Sequence, residues 1–157
     1  MFECDGTAEV GAPAVISKIR ADVLVQPMIA GIAEAYAGII DDPLYGPAIV
    51  FGLGGIFVEL LQDTAIEMAP LSKDDALRMI HRLKAAPVLL GARGRPRGDI
   101  EALAALLVRL SHFAVANSGT FRALALNPIM VKAEGEGVVA VDIAVDTGEI
   151  PPTEGHR

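Results

Sequence analysis

Two hard oxygen donors stand near the end of the chain, Asn127 directly before a proline and Asp142 inside the aliphatic run VVAVDIAVD. Amide and carboxylate oxygens suit Mg²⁺, which takes few protein ligands and completes its octahedron with water and nucleotide phosphate. Strand alternation puts Val139, Val141, Ile143 and Val145 on one face, leaving Ala140, Asp142, Ala144 and Asp146 on the other. Upstream, Leu124 and Leu126 share a face, and Ala123, Ala125 and Asn127 share the opposite one. With leucines and valines in a core, Asn127 and Asp142 would look into one cleft. The plainer reading is a bend before Pro128 and a solvated aspartate.

A second candidate is the glycine cluster FGLGGIF, with Gly52, Gly54 and Gly55 following a strand-like segment. Glycines there can turn the backbone and offer N–H groups to an anion, as phosphate loops do. A tight turn between two strands would need the same residues. Arg93, Arg95 and Arg97 recur at every second position of a Gly-rich loop and could grip phosphate, although a solvated loop face is the plainer reading. His81, His112 and His156 have no metal-ligand spacing, and Cys4 has no partner cysteine.

The elements that must position these residues read as follows. Residues 1–11 form a loose lead-in, and Ala12 to Arg20 a short helix. Asp22 to Met28 reads as a strand stopping at Pro27, joined by a short hairpin-like link to a strand over Ile32 to Ile40. The turn chemistry of Asp41 to Pro47 precedes a strand at Ala48 to Phe51, and Ala65 to Ala69 supplies another. Ser72 with Asp75 forms a capping-box pattern, with Ala76, Met79, Ile80 and Leu83 on one helix face. Asp99 can cap a second helix striped by Ile100, Leu103, Leu106, Leu107, Leu110 and Ala114. Between the helices, LLGARGRPRGD is a loop by composition. A strand pair follows, with a bend at Asn127-Pro128 and one strand from Val138 to Val145. The expected fold is α+β, a largely antiparallel sheet with helices on one face. The domain is expected over 12–146, with a tail over 147–157.

A chain of 157 residues can bury one real core. Its apolar share of 52% comes from small aliphatics, with no Trp and two Tyr. A net charge of −7 and the absence of a basic run argue against nucleic acid. No apolar run reaches the roughly 18–20 residues of a membrane span, and the first residues lack a signal-peptide pattern. With a single cysteine, the expectation is a cytoplasmic protein.

Taken in order, the segments VLVQPM, IAGIAEAYAGIIDDPLYGPAIVFGLGGIFVELLQD, MAPLSKDDALRMI, LLGARGRP, LNPIMV and VVAVD resemble the ATP-grasp domain of NDP-forming acyl-CoA synthetases and related protein acetyltransferases. The resemblance implies a cleft for ATP or another NTP between two subdomains, of which this chain resembles the second. It implies that the backbone around Gln26 and Met28 meets adenine, that Asn127 and Asp142 ligate Mg²⁺, and that Glu34 and the segment Gly52 to Glu59 lie on the nucleotide side. Complete relatives join an acid to CoA through an acyl phosphate and a phosphohistidine on another domain. The family pattern carries two acids before Asn-Pro, where this chain has Ala123 and Ala125. The first subdomain, with its phosphate-binding lysines, and the CoA-binding domain are not among the matched segments. The expectation is therefore a subunit or fragment of an acid–CoA ligase that is inactive alone and works with a partner chain carrying the first ATP-grasp subdomain and the CoA-binding domain. An exposed half-cleft would also favour self-association. The competing expectation is a non-catalytic nucleotide-sensing or scaffold subunit with a degenerate metal site.

Overall fold

The hydrophobic residues of the middle of the chain alternate or recur by helical period, and most of these patterns find an element in the computed structural model, which describes residues 26–54 and 63–148. Among the described residues six strands form one sheet: β1 (Ala33–Asp42), β2 (Gly46–Leu53), β3 (Thr64–Met68), β4 (Ala123–Val131), β5 (Val138–Ala140) and β6 (Ile143–Asp146). Every pairing is antiparallel, in the order β3-β2-β1-β4, with β5 and β6 sharing the outer edge of β4.

Two longer helices, α1 (Lys73–Arg82) and α3 (Ile100–Ala116), cover one face, with the short α2 (Ala86–Leu89) and a 3₁₀ turn at Ala92–Gly94 between them. The α1 start is the expected capping box: the Asp75 N–H donates to Ser72 Oγ (3.2 Å) and the Ser72 N–H donates to Asp75 Oδ2 (2.9 Å). Donation from Ser72 holds the Asp75 carboxyl below its ordinary range. All four predicted α1 face residues are buried, as are Ile100, Leu103, Leu107, Leu110 and Ala114 of α3. They pack on Ala35, Ala37, Ile39, Ile49, Phe51, Leu124, Leu126, Ile129 and Val131 of the sheet. Fully buried Ser111 ties the layers by accepting from the Leu71 N–H (2.9 Å) and donating to the Val108 carbonyl (2.7 Å). The opposite sheet face has no helix on it among the described residues.

Several boundaries differ from expectation. Gln26 to Ile32 contains no strand, and the expected helix over 12–20 and strand residues 22–25 lie outside the described residues. The segment taken as a loop holds the 3₁₀ turn, and Gly98 forms an isolated bridge to Ala133. Asn127-Pro128 does not separate two strands. It is a bulge inside continuous β4: Ala35 pairs with Ile129 and Ala37 with Leu126, so Tyr36 alone faces both Asn127 and Pro128. The extra residue shifts the alternation, and the buried set moves from Leu124 and Leu126 to Ile129 and Val131.

The predicted strand over Val138 to Val145 is split at Val141-Asp142 for the same reason. Val139 pairs with Met130 on the open face, whereas Ile143 and Val145 pair with buried Leu126 and Leu124. The four aliphatics therefore do not share a face. Ile143 (59% exposed) and Val145 (51% exposed) point to the helix side but lie beyond the cover that the helices provide.

Candidate functional site

The β4 bulge places Asn127 on the open face of the sheet, exposed, in the set that includes Ala123 and Ala125. Across from it, the chain between β5 and β6 remains tied to the bulge. The Asn127 N–H donates to the Asp142 carbonyl (3.2 Å), and the Val141 N–H donates to the Pro128 carbonyl (2.9 Å). Asp142 is exposed, and its Oδ1 accepts from the Ile143 N–H (2.8 Å). Its Oδ2 accepts no hydrogen bond from the described residues. Sequence reading paired these two residues, and their backbones are direct neighbours across the bulge.

The neighbouring strand brings Glu34 and Tyr36 to the same face. Glu34 pairs with Met130, and its carbonyl accepts from the Gly54 N–H (2.7 Å). A Cβ at Gly54 would stand 3.2 Å from that of Glu34. Gly54 is thus a close-approach residue whose N–H is already used in the sheet. Gly52 has a related role, because a Cβ there would lie 2.5 Å from the Tyr36 ring. The ring crosses over Gly52 so that its hydroxyl meets Thr64 Oγ1 at 2.6 Å.

The sheet therefore gathers Glu34, Gly52, Gly54 and Asn127 on one side, with Asp142 beside Asn127. Gln26 and Met28 lie in an irregular segment before β1, where the Met28 side chain is 97% exposed. Gly55 and Glu59 lie outside the described residues.

Two oxygen donors beside open solvent fit a cation that keeps most of its waters, as Mg²⁺ does. Ala125 leaves that cluster without a further carboxylate; it is exposed and pairs with Gly38 on one side and Ala144 on the other. Among the described residues, no three His, Cys, Asp or Glu side chains converge for a metal.

A recess of about 190 Å³ opens on the helix side instead, lined in part by His81, Arg97, Asp99, Glu101 and Glu134. Its mixed charges and distance from the open sheet face set it apart from the Asn127 cluster. Asp99 there is a structural anchor: its carboxylate accepts from the N–H groups of Ala102 (2.9 Å), Gly135 (3.0 Å) and Gly137 (2.9 Å). The Ala102 and Gly137 bonds hold its carboxyl below the ordinary range against the opposing effect of burial. Sequence reading found its capping role and missed its hold on the β4–β5 turn. It also missed the Tyr36–Thr64 pair, whose trace in the sequence is a tyrosine among small residues of a strand facing a glycine-bearing one.

A family model described as an ATP-grasp domain matches residues 14–146. The chain is 42% identical over 123 residues to the ADP-forming acetate–CoA ligase II subunit beta of Pyrococcus furiosus, covering 78% of this chain and 52% of that protein. It is 34% identical over 123 residues to the ADP-forming 4-hydroxybutyrate–CoA ligase of Nitrosopumilus maritimus, covering 78% of this chain and 18% of that one. Among solved structures, a protein from Pyrococcus horikoshii superposes with a TM-score of 0.73 at 38% identity, covering 78% of this chain and 51% of the other. The dinucleotide-forming acetyl-coenzyme A synthetase 1 of Ca. Korarchaeum cryptofilum, in complex with coenzyme A and Mg-AMPPCP, superposes with a TM-score of 0.70 at 37% identity over 77% of this chain and 55% of that one. The chain spans about half the length of the P. furiosus subunit it matches. By the extent of these matches and by its one-sided antiparallel sheet, the chain belongs to the ATP-grasp domain family.

Proposed function

We propose that this chain supplies the sheet face that receives a magnesium nucleotide in an NDP-forming acid–CoA ligase, and that the ligase is completed by a partner chain. The observation that carries this reading is the pairing of Asn127 and Asp142 across the β4 bulge, on a face left open by the helices. In this reading the Asn127 amide oxygen and the free oxygen of Asp142 hold the cation from one side. Mg²⁺, when bound, neutralises charge on phosphate oxygens. Glu34 lines the same side, and the segment around Gln26 and Met28 meets the adenine. The open face waits for a second layer that excludes water, the part for which a partner with the first ATP-grasp subdomain and a CoA-binding domain is suited.

The test is a thermal melt of the chain with ATP, with and without Mg²⁺. A ligand at ten times its Kd adds about 1.4 kcal/mol, which appears as an upward shift in Tm. Asp142→Ala is expected to remove the magnesium-dependent part of that shift. Co-purification with a chain bearing the complementary subdomain, followed by assay of acyl-CoA formation, tests the ligase assignment itself. The alternative, a non-catalytic nucleotide-binding or scaffold subunit, draws support from Ala125, which stands exposed beside Asn127 where the family pattern has an acid. It predicts nucleotide binding that is nearly independent of Mg²⁺ and no turnover in any assembly.

A further inference from the structure

One transverse row crosses the whole open face of the sheet. Thr64 pairs with Gly52, Gly52 with Tyr36, Tyr36 faces Asn127 and Pro128, and Asn127 bonds to Asp142. The two ends of the row differ in chemistry. At the β4 end stand the oxygen donors of Asn127 and Asp142. At the β2–β3 end stand two hydroxyls, Tyr36 and Thr64, that share one hydrogen bond of 2.6 Å. Each hydroxyl owns one hydrogen and only one of the two is used between them, so the pair has one hydrogen left to donate outward. The Tyr36 ring is held in place by lying over Gly52, where a Cβ would stand 2.5 Å from it.

From this we infer that the Tyr36–Thr64 hydroxyl pair is a second anchor of the same site, donating a hydrogen bond to a phosphoryl oxygen of a polyphosphate whose cation is held at Asn127 and Asp142. The inference rests on the proposed metal role of those two residues and adds the residue that meets the anion. Strands lie about 4.8 Å apart, and the Tyr36 side chain leans across β2 away from β4. A single phosphate group is too short to touch both ends of the row, whereas a di- or triphosphate chain can lie along it. Hydroxyl donors to anionic oxygens are short and charge-assisted, and stronger than neutral hydrogen bonds.

Thermal melts of the purified chain with tripolyphosphate, ATP and inorganic phosphate, each with and without Mg²⁺, provide the test. The variants are Tyr36→Phe, Thr64→Val, the double variant Tyr36→Phe/Thr64→Val, and Asp142→Ala. Tyr36→Phe keeps the ring on Gly52 and removes only the hydroxyl, and exposed Thr64→Val breaks the same hydrogen bond from the sheet edge without touching the ring. Either single variant leaves the other hydroxyl its one hydrogen to donate, so the double variant decides. It is expected to weaken tripolyphosphate and ATP binding by about threefold to tenfold, while Asp142→Ala removes the dependence on Mg²⁺. Inorganic phosphate is expected to respond to no hydroxyl variant.

If Asp142→Ala behaves as expected but the double variant Tyr36→Phe/Thr64→Val binds like the parent, the hydroxyl anchor is wrong and the metal reading stands. If the hydroxyl variants weaken ATP but not tripolyphosphate, Tyr36 touches the nucleoside and the phosphoryl assignment falls. Absence of any shift in the parent with tripolyphosphate and ATP overturns the anchor and the site together. Should that double variant not fold, Tyr36→Phe/Thr64→Ala decides by the same readings.

Discussion

A carboxylate at the start of a helix ordinarily satisfies one or two backbone N–H groups, and Asp99 satisfies three, on two separate elements. Its depressed acidity makes a pH prediction with a definite sign. In the unfolded chain the group binds its proton near the ordinary value of about 3.9. The folded state holds it ionised to lower pH, so the stability it contributes is fully present above about pH 4 and is lost as pH falls through the folded-state value. Asp99→Asn is expected to cost about 1–2 kcal/mol at pH 7, since one charge-assisted acceptor is replaced by a neutral amide. In urea melts from pH 7 to pH 3 that gap should narrow below pH 4; a constant gap would mean that packing, not charge, explains the loss. The same scale decides the fate of a carboxylate at 125. Ala125 is exposed on the Asn127 face and pairs with Gly38 and Ala144, so Ala125→Glu meets solvent and small neighbours rather than the core. The variant should stay folded, and in thermal melts Mg-ATP should stabilise it more than the parent, with the gain abolished by adding Asp142→Ala. Failure to fold would place position 125 against packed side chains.

At the scale of elements, the β4 bulge and the Tyr36 crossing over Gly52 organise the candidate site. Because the bulge opposes two residues to Tyr36, β4 keeps aliphatics in the core on both sides of it while Asn127 stays outside. The crossing couples β1 to β3 over β2. A methyl added by Gly52→Ala stands 2.5 Å from ring atoms of Tyr36, so the ring must swing off and abandon Thr64. A strand alanine by itself is mildly favourable over glycine. The two effects separate in a double-mutant cycle with Tyr36→Ala: Gly52→Ala should be less favourable in the parent than in the Tyr36→Ala background, with a coupling energy of about 1 kcal/mol. Additive single effects would show that the ring does not rest on Gly52.

Among the described residues, one sheet face is closed by α1 and α3 and the other carries no helix, with Ile40, Ile66 and Met68 about half exposed on it. The central strands β1, β2 and β4 supply most of the buried sheet residues, whereas β6 is exposed along its full length. Native-state hydrogen exchange should therefore rank β1 and the β1-facing half of β4 slowest, β3 faster and β6 fastest. Slow exchange in β6 would indicate a cover over that edge in solution, and its appearance only on adding a partner chain would locate the interface.

The elements that local chemistry specifies were legible in the chain. Ser72 with Asp75 and Asp99 before an aliphatic stripe announce two helices, because caps and periodicity act within a few residues. The leucines of β4 point inward as alternation requires. Asn127 and Asp142 were also legible as a pair, through residue type and the resemblance of ordered segments. The register was not. A one-residue bulge at Asn127-Pro128 shifts the parity of the rest of β4, and the break at Val141-Asp142 does the same between β5 and β6. Whether such a residue bends the chain, ends the strand or is absorbed depends on the partner strand, which lies about ninety residues away in sequence. The Tyr36–Thr64 bond, the close approach at Gly52 and the hold of Asp99 on Gly135 and Gly137 likewise join residues that local pattern does not relate. Long-range pairing decides them, and only the tertiary structure records it.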